Sequence, residues 1–114
     1  MKAVKRQHEW AKYLNFFGEQ NKGRPTRLGV FELNGDVVTD YWLENGLPLV
    51  GIDIDARAER PSIQITVGGF THEINNAVSL LFHFSSAGDE DGLDVAGAEG
   101  RTTVLRFEKA GRQL

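Results

Sequence analysis

Thr26-Arg27-Leu28-Gly29-Val30-Phe31-Glu32-Leu33, running into Asn34-Gly35, is the stretch that decides the fold class. It alternates with the period of two that sends successive side chains to opposite faces of a strand. Asn-Gly supplies the positive φ angles of a tight hairpin turn, so the chain should reverse there and return over Asp36 to Leu43, closed by Glu44-Asn45-Gly46. Downstream the period stays at two. Leu47 to Asp55 predicts a strand with Val50, Ile52 and Ile54 on one face and Gly51, Asp53 and Asp55 on the other. After a charged turn over Ala56 to Pro61, Ser62 to Val67 and Phe70 to Asn75 form a pair about Gly68-Gly69. Asn76-Ala77 marks a bulge or short turn before the strand Val78 to Phe84, and Ser85 to Gly92 reads as a mobile acidic loop. Leu93 to Ala96 and Thr102 to Phe107 make the last hairpin around Gly97-Ala98-Glu99-Gly100, and 109–114 reads as a loose tail.

Upstream of the hairpin the period is different. Trp10, Tyr13, Leu14 and Phe17 fall at i, i+3, i+4 and i+7, one face of a helix, with Gln7, Glu9, Lys12 and Asn15 opposite. The spacing predicts a helix over 7–17, ended by Gly18 in a left-handed conformation. Its aromatic stripe must lie on apolar surface, and no second long helical pattern exists to carry parallel crossovers. The fold class is therefore α+β: one N-terminal amphipathic helix packed on a six- to eight-stranded antiparallel meander, open or curled toward a barrel.

The bulk properties fit one domain. The chain has 114 residues, 40% of them hydrophobic and 25% charged, enough for a core without staples. With no cysteine, a disulfide framework and a thiolate metal cage are excluded. Apolar runs are far shorter than the roughly 20 residues that cross a bilayer, and the basic N-terminus Met1 to Arg6 is followed by no apolar stretch. A formal charge of -3 argues against nucleic acid as a partner. A soluble cytoplasmic protein without membrane attachment is expected.

Several segments taken together resemble a known family. They are Glu9-Trp10 opening the helix, Leu47-Pro48-Leu49-Val50-Gly51-Ile52-Asp53, Ser62-Ile63-Gln64-Ile65, Thr71-His72-Glu73-Ile74 and Glu99-Gly100-Arg101-Thr102-Thr103-Val104-Leu105-Arg106-Phe107. In this order they are similar to small bacterial proteins grouped as domain-of-unknown-function family 5335, over about Glu9 to Phe107. The resemblance implies a bacterial cytoplasmic protein of the same helix-plus-sheet plan and brings no catalytic residue with it.

Candidate functional residues are few. Asp53 and Asp55 project from one strand face about 7 Å apart, a spacing that suits acid/base work or a hard cation, or simply a solvated face. His72 shares a face with Phe70 and Ile74, and His83 sits between Phe82 and Phe84. No histidine pair has metal-ligand spacing, and Gly88-Asp89-Glu90-Asp91-Gly92 lacks the twelfth-position glutamate of a calcium loop, so neither a metal nor another cofactor is expected. Tyr41 and Trp42 are adjacent on a strand and so point to opposite faces: if one packs under the helix, the other is exposed. The binding candidates are thus Tyr41, Trp42, Asp53, Asp55 and His72.

Two functions compete. The favoured one is a non-enzymatic interaction or self-assembling module, associating as a dimer because one short helix leaves much of the sheet uncovered. The alternative is a small hydrolase- or isomerase-like enzyme in which His72 meets Asp53 or Asp55 in a cleft. Neither the ligand nor the pathway is written in the sequence.

Overall fold

In the computed structural model, which describes residues 2–4, 9–34, 37–55, 60–98 and 100–108, the period-two segments become strands of one antiparallel sheet. In chain order the elements are β1 (Lys2–Val4), α1 (Trp10–Gln20), β2 (Pro25–Asn34), β3 (Val37–Asp55), β4 (Ser62–Val67), β5 (Phe70–Ile74), β6 (Ala77–Phe84), β7 (Glu90–Gly97) and β8 (Arg101–Phe107). The sheet order is β1-β6-β7-β8-β2-β3-β4-β5. Two meanders, β2 to β5 and β6 to β8, are thus joined by a ladder between β8 and β2. The sheet curls into a half-barrel around α1, as the α+β expectation allows. Four segments read from sequence lie partly or wholly outside the described residues: the Gly35 side of the first turn, 56–59, Glu99, and the tail 109–114. The helix start expected at 7–8 lies outside them too.

The curl comes from β3. Glu44-Asn45-Gly46 does not end a strand as expected; β3 runs through it for 19 residues. β2 pairs continuously beside it, Thr26 with Leu47 and Arg27 with Asn45, so Gly46 is an extra residue at φ 96°. Such a bulge bends a strand without reversing it. Leu43 is a second extra residue, between the Leu28–Glu44 and Gly29–Trp42 pairs. After the Pro25–Pro48 pair, β3 leaves β2 and pairs with β4 from Leu49. Proline, which donates no ladder hydrogen bond, sits where the strand changes partner.

A third bulge corrects the expected face of β3. Leu49 pairs with Val67 and Gly51 with Thr66, leaving Val50 out of register and exposed. The inward residues are Leu49 and Ile52. Another shift, between Ala77 and Ser79, likewise exposes Val78 while Leu80 and Phe82 point inward.

The helix fills the concave side. Trp10, Leu14 and Phe17 are buried to 1% exposure or less, and the Phe17 ring lies 5.3 Å from Phe82 and 5.6 Å from Phe107. Tyr13, expected on this face, stands at its rim and is exposed. Gly18 does not stop the helix. It is buried within it, where a Cβ would come within 3.3 Å of the Ile52 nitrogen, so its role is close approach to β3. The helix ends three residues later at Asn21, whose backbone and side-chain nitrogens both donate to the Phe17 carbonyl. Arg24 finishes this end of the barrel, its guanidinium 4.2 Å from the centre of the Phe107 ring and bonded to the Glu90 carbonyl. No helix among the described residues is long and apolar enough to cross a membrane.

Candidate functional site

At the end of the half-barrel away from the helix, the inward positions turn polar. On β8 the inward row is Phe107, Leu105, Thr103, Arg101, and on β2 it is Thr26, Leu28, Val30, Glu32. Arg101 and Glu32 are register partners, and the guanidinium donates to Glu32 Oε2. From the far edge of the curled sheet, His72 on β5 reaches across to β8, where its Nε2 shares a 3.1 Å hydrogen bond with Thr103 Oγ1. That bond satisfies a hydroxyl only 1% exposed, as any buried polar group requires.

Between β5 and the β7–β8 turn these groups line a cleft of about 440 Å³, with Asn75 and Ala98 on its walls. Burial, and then the nearby Arg101 guanidinium, hold His72 below its ordinary value of 6.5. The imidazole is therefore neutral at physiological pH and offers a donor and an acceptor rather than a charge.

Of the residues expected to bind, His72 lines this cleft, Tyr41 and Trp42 line a second of about 340 Å³ with Phe31 and Asp40, and Asp53 lines a third of about 210 Å³ beside the helix. The register separates His72 from the aspartates. Ile52, Ile65 and His72 are paired across β3, β4 and β5 and share the inner face, while Asp53, Gln64 and Glu73 form the next, outward row. Asp55 lies two residues beyond Asp53 on the same outward phase. The expected meeting of His72 with Asp53 or Asp55 does not occur, because a one-residue offset puts them on opposite sides of the sheet.

Tyr41 and Trp42 point to opposite faces as expected, but both are exposed, at 42% and 48%, and neither lies under the helix. They sit on the arm where β3, before it pairs with β4, lies along β2, which is paired on its other side with β8 as far as Glu32. On one face of that arm Gly29 pairs with Trp42, Phe31 with Asp40 and Leu33 with Val38. The missing side chain at Gly29 makes room for the indole, since a Cβ there would lie 2.7 Å from the Trp42 ring. Arg27, one row further, stacks its guanidinium 4.3 Å from the ring centre. Phe31, Leu33, Val38 and Trp42 form an exposed apolar stripe.

The remaining candidates have structural roles. On the outer face of β6 to β8, Asp94 receives Arg106 Nη1 at 2.8 Å and contacts His83 Nε2 at 2.9 Å. The acidic loop is shorter than expected, since β7 already begins at Glu90. Its tight turn is closed by the Ser85 nitrogen on the Asp89 carbonyl at 2.8 Å. Among the described residues no three His, Cys, Asp or Glu side chains are grouped to hold a metal. Comparison with protein-family models, with curated proteins and with solved structures finds no match to this chain.

Proposed function

We propose that this chain is a non-enzymatic interaction module of the bacterial cytoplasm that self-associates as a dimer. The observation that carries this reading is the outer face of the β2–β3 arm, where Phe31, Leu33, Val38 and Trp42 are exposed side by side. Tryptophan and arginine are among the residue types enriched where a few side chains carry most of an interface's binding energy. A second copy suits this face because, among the described residues of β2 and β3, it carries one cation and one anion, Arg27 beside Trp42 and Asp40 opposite Phe31. A twofold contact needs a patch that complements itself, and a neutral patch with one charge of each sign meets that need. The bacterial and cytoplasmic parts of the reading rest on the resemblance to family 5335.

The test is mass by light scattering after size exclusion, from about 1 to about 100 μM. A mass of two chains at the upper end is expected, with Trp42→Ala shifting dissociation to at least about 30-fold higher concentration. A mass that stays at 12.7 kDa across the range would overturn the dimer.

A further inference from the structure

We infer that the open mouth of the half-barrel binds a small neutral polyhydroxylated molecule, of the size and chemistry of a monosaccharide. The cleft of about 440 Å³ falls in the range of small-ligand sites, and four of its side chains come from three different strands, as convergent recognition groups do. His72 comes from β5, Thr103 and Arg101 from β8, and Glu32 from β2. Each is held before any ligand arrives: His72 by Thr103, and Arg101 by Glu32. Groups positioned in this way lose little freedom on binding.

Charge selects the ligand class. Among the described residues the inward charges of the mouth are Glu32 and Arg101, one of each sign and already joined. An anion reaching for Arg101 meets the Glu32 carboxylate, and a cation reaching for Glu32 meets the guanidinium. The remaining carboxylate of the lining, Glu73, alternates outward from His72 and accepts from Gln64 at 3.3 Å. Among the described residues, what the mouth offers is a mixture of donors and acceptors without net charge: guanidinium N–H groups, a carboxylate oxygen and the imidazole. Vicinal hydroxyl groups, each both donor and acceptor, complement such a set, whereas an apolar ligand would leave it unpaired.

The same geometry favours binding over catalysis. A histidine base is normally oriented by a third group on its second nitrogen. Among the described residues no carboxylate hydrogen-bonds His72, and its one partner is a buried threonine.

The experiment is a titration of the whole 15N-labelled chain with D-glucose, followed by amide shifts, with D-glucuronate and D-glucosamine as charged counterparts. Saturable shifts at His72, Ala98, Arg101 and Thr103 are expected, with a dissociation constant on the order of 1 mM and both charged sugars weaker. Arg101→Gln, at an exposed side chain whose loss leaves the core intact, should weaken glucose by about tenfold. The inference is overturned if glucose gives no saturable shift, if the shifts fall on the Trp42 face instead, or if either charged sugar binds more tightly. It is equally overturned if Arg101→Gln binds glucose as wild type does.

Discussion

Along β8 the inward side chains run Phe107, Leu105, Thr103, Arg101, and along the neighbouring β2 they run Thr26, Leu28, Val30, Glu32. The same two strands, in the same phase, build both ends of the half-barrel. At the Phe107 end the helix lays Phe17 against Phe82 and Phe107 and Arg24 closes over the ring, so water is excluded. At the Arg101 end His72 reaches over Thr103, and the inward positions beyond Val30 are charged or hydroxylated. The helix is 11 residues long, about 16 Å at 1.5 Å per residue. It can plug one end of a barrel whose strands are longer than it is, and the residues beyond its reach have to tolerate water. The difference teaches where function can sit in so small a fold: at the edge of the helix's cover, where inward geometry and polar chemistry coincide.

The largest effect expected from breaking this contrast is at the sealed end. Phe17→Ala empties a fully buried ring site between two other rings and should destabilise the chain by roughly 3–5 kcal/mol in urea melts. Arg101→Ala at the open end, an exposed ion pair, should change stability by no more than about 1 kcal/mol. Equal losses for the two variants would show that the ends are not built differently.

Glycines sharpen the same comparison with a smaller effect. Gly92 lies towards the sealed end, where a Cβ would stand 2.4 Å from the Leu105 carbonyl oxygen. That neighbour is backbone of the paired strand, so Gly92→Ala must push β7 and β8 apart, at a cost of about 1–3 kcal/mol. Gly97 lines the open cleft, where the nearest atom to an added Cβ, the Arg101 carbonyl oxygen, is 3.4 Å away. Gly97→Ala should stay within about 0.5 kcal/mol of wild type. A Gly92→Ala melt that overlays wild type would mean the ladder at the sealed end gives way more easily than its close packing implies.

Much of this architecture could be read from the sequence, and the parts that could not share a cause. Alternation located every strand from β2 to β8, and the 3.6 period located the helix through Trp10, Leu14 and Phe17. Alternation fails wherever a bulge inserts one residue, because the phase then flips: Val50 was expected on the face of Ile52 and stands outside while Ile52 is buried. Gly46 looked like a turn because a glycine with positive φ serves a bulge and a turn equally well. Gly18 looked like a helix stop because close approach to Ile52 is a tertiary fact. Of the cleft, His72 was visible as a titratable residue on an apolar face. Glu32, Arg101 and Thr103 were not singled out, since 31 residues separate His72 from Thr103 and 69 separate Glu32 from Arg101. One signal was available: Glu32 shares its phase with Leu28 and Val30, and Arg101 and Thr103 share theirs with Leu105 and Phe107. Polar residues that keep an inward phase near a strand's end mark a barrel mouth.

The smallest effect expected, and the one specific to the open end, is a dependence on acid carried by His72. Burial, reinforced by Arg101, lowers its proton affinity in the folded chain below the ordinary value of 6.5. In the unfolded chain the imidazole regains that ordinary affinity. As pH falls below about 6.5 the unfolded state therefore takes up protons that the folded state does not, and stability falls with it. Above that pH both states are neutral and the residue adds no slope. His72→Gln removes this contribution while leaving His83 and every carboxylate in place, so their titrations cancel in the comparison. At about pH 7.5 the variant should be less stable than wild type by about 1 kcal/mol, through weakened pairing of the buried Thr103 hydroxyl. The gap should narrow as pH drops toward about 5, because wild type loses the His72 contribution and the variant has none to lose. Urea melts at several pH values across that window measure it directly. A gap that stays constant would show that the fold does not disfavour the charged imidazole, and one that widens in acid would show that it favours it; either would contradict the neutral mouth on which the proposed ligand chemistry depends.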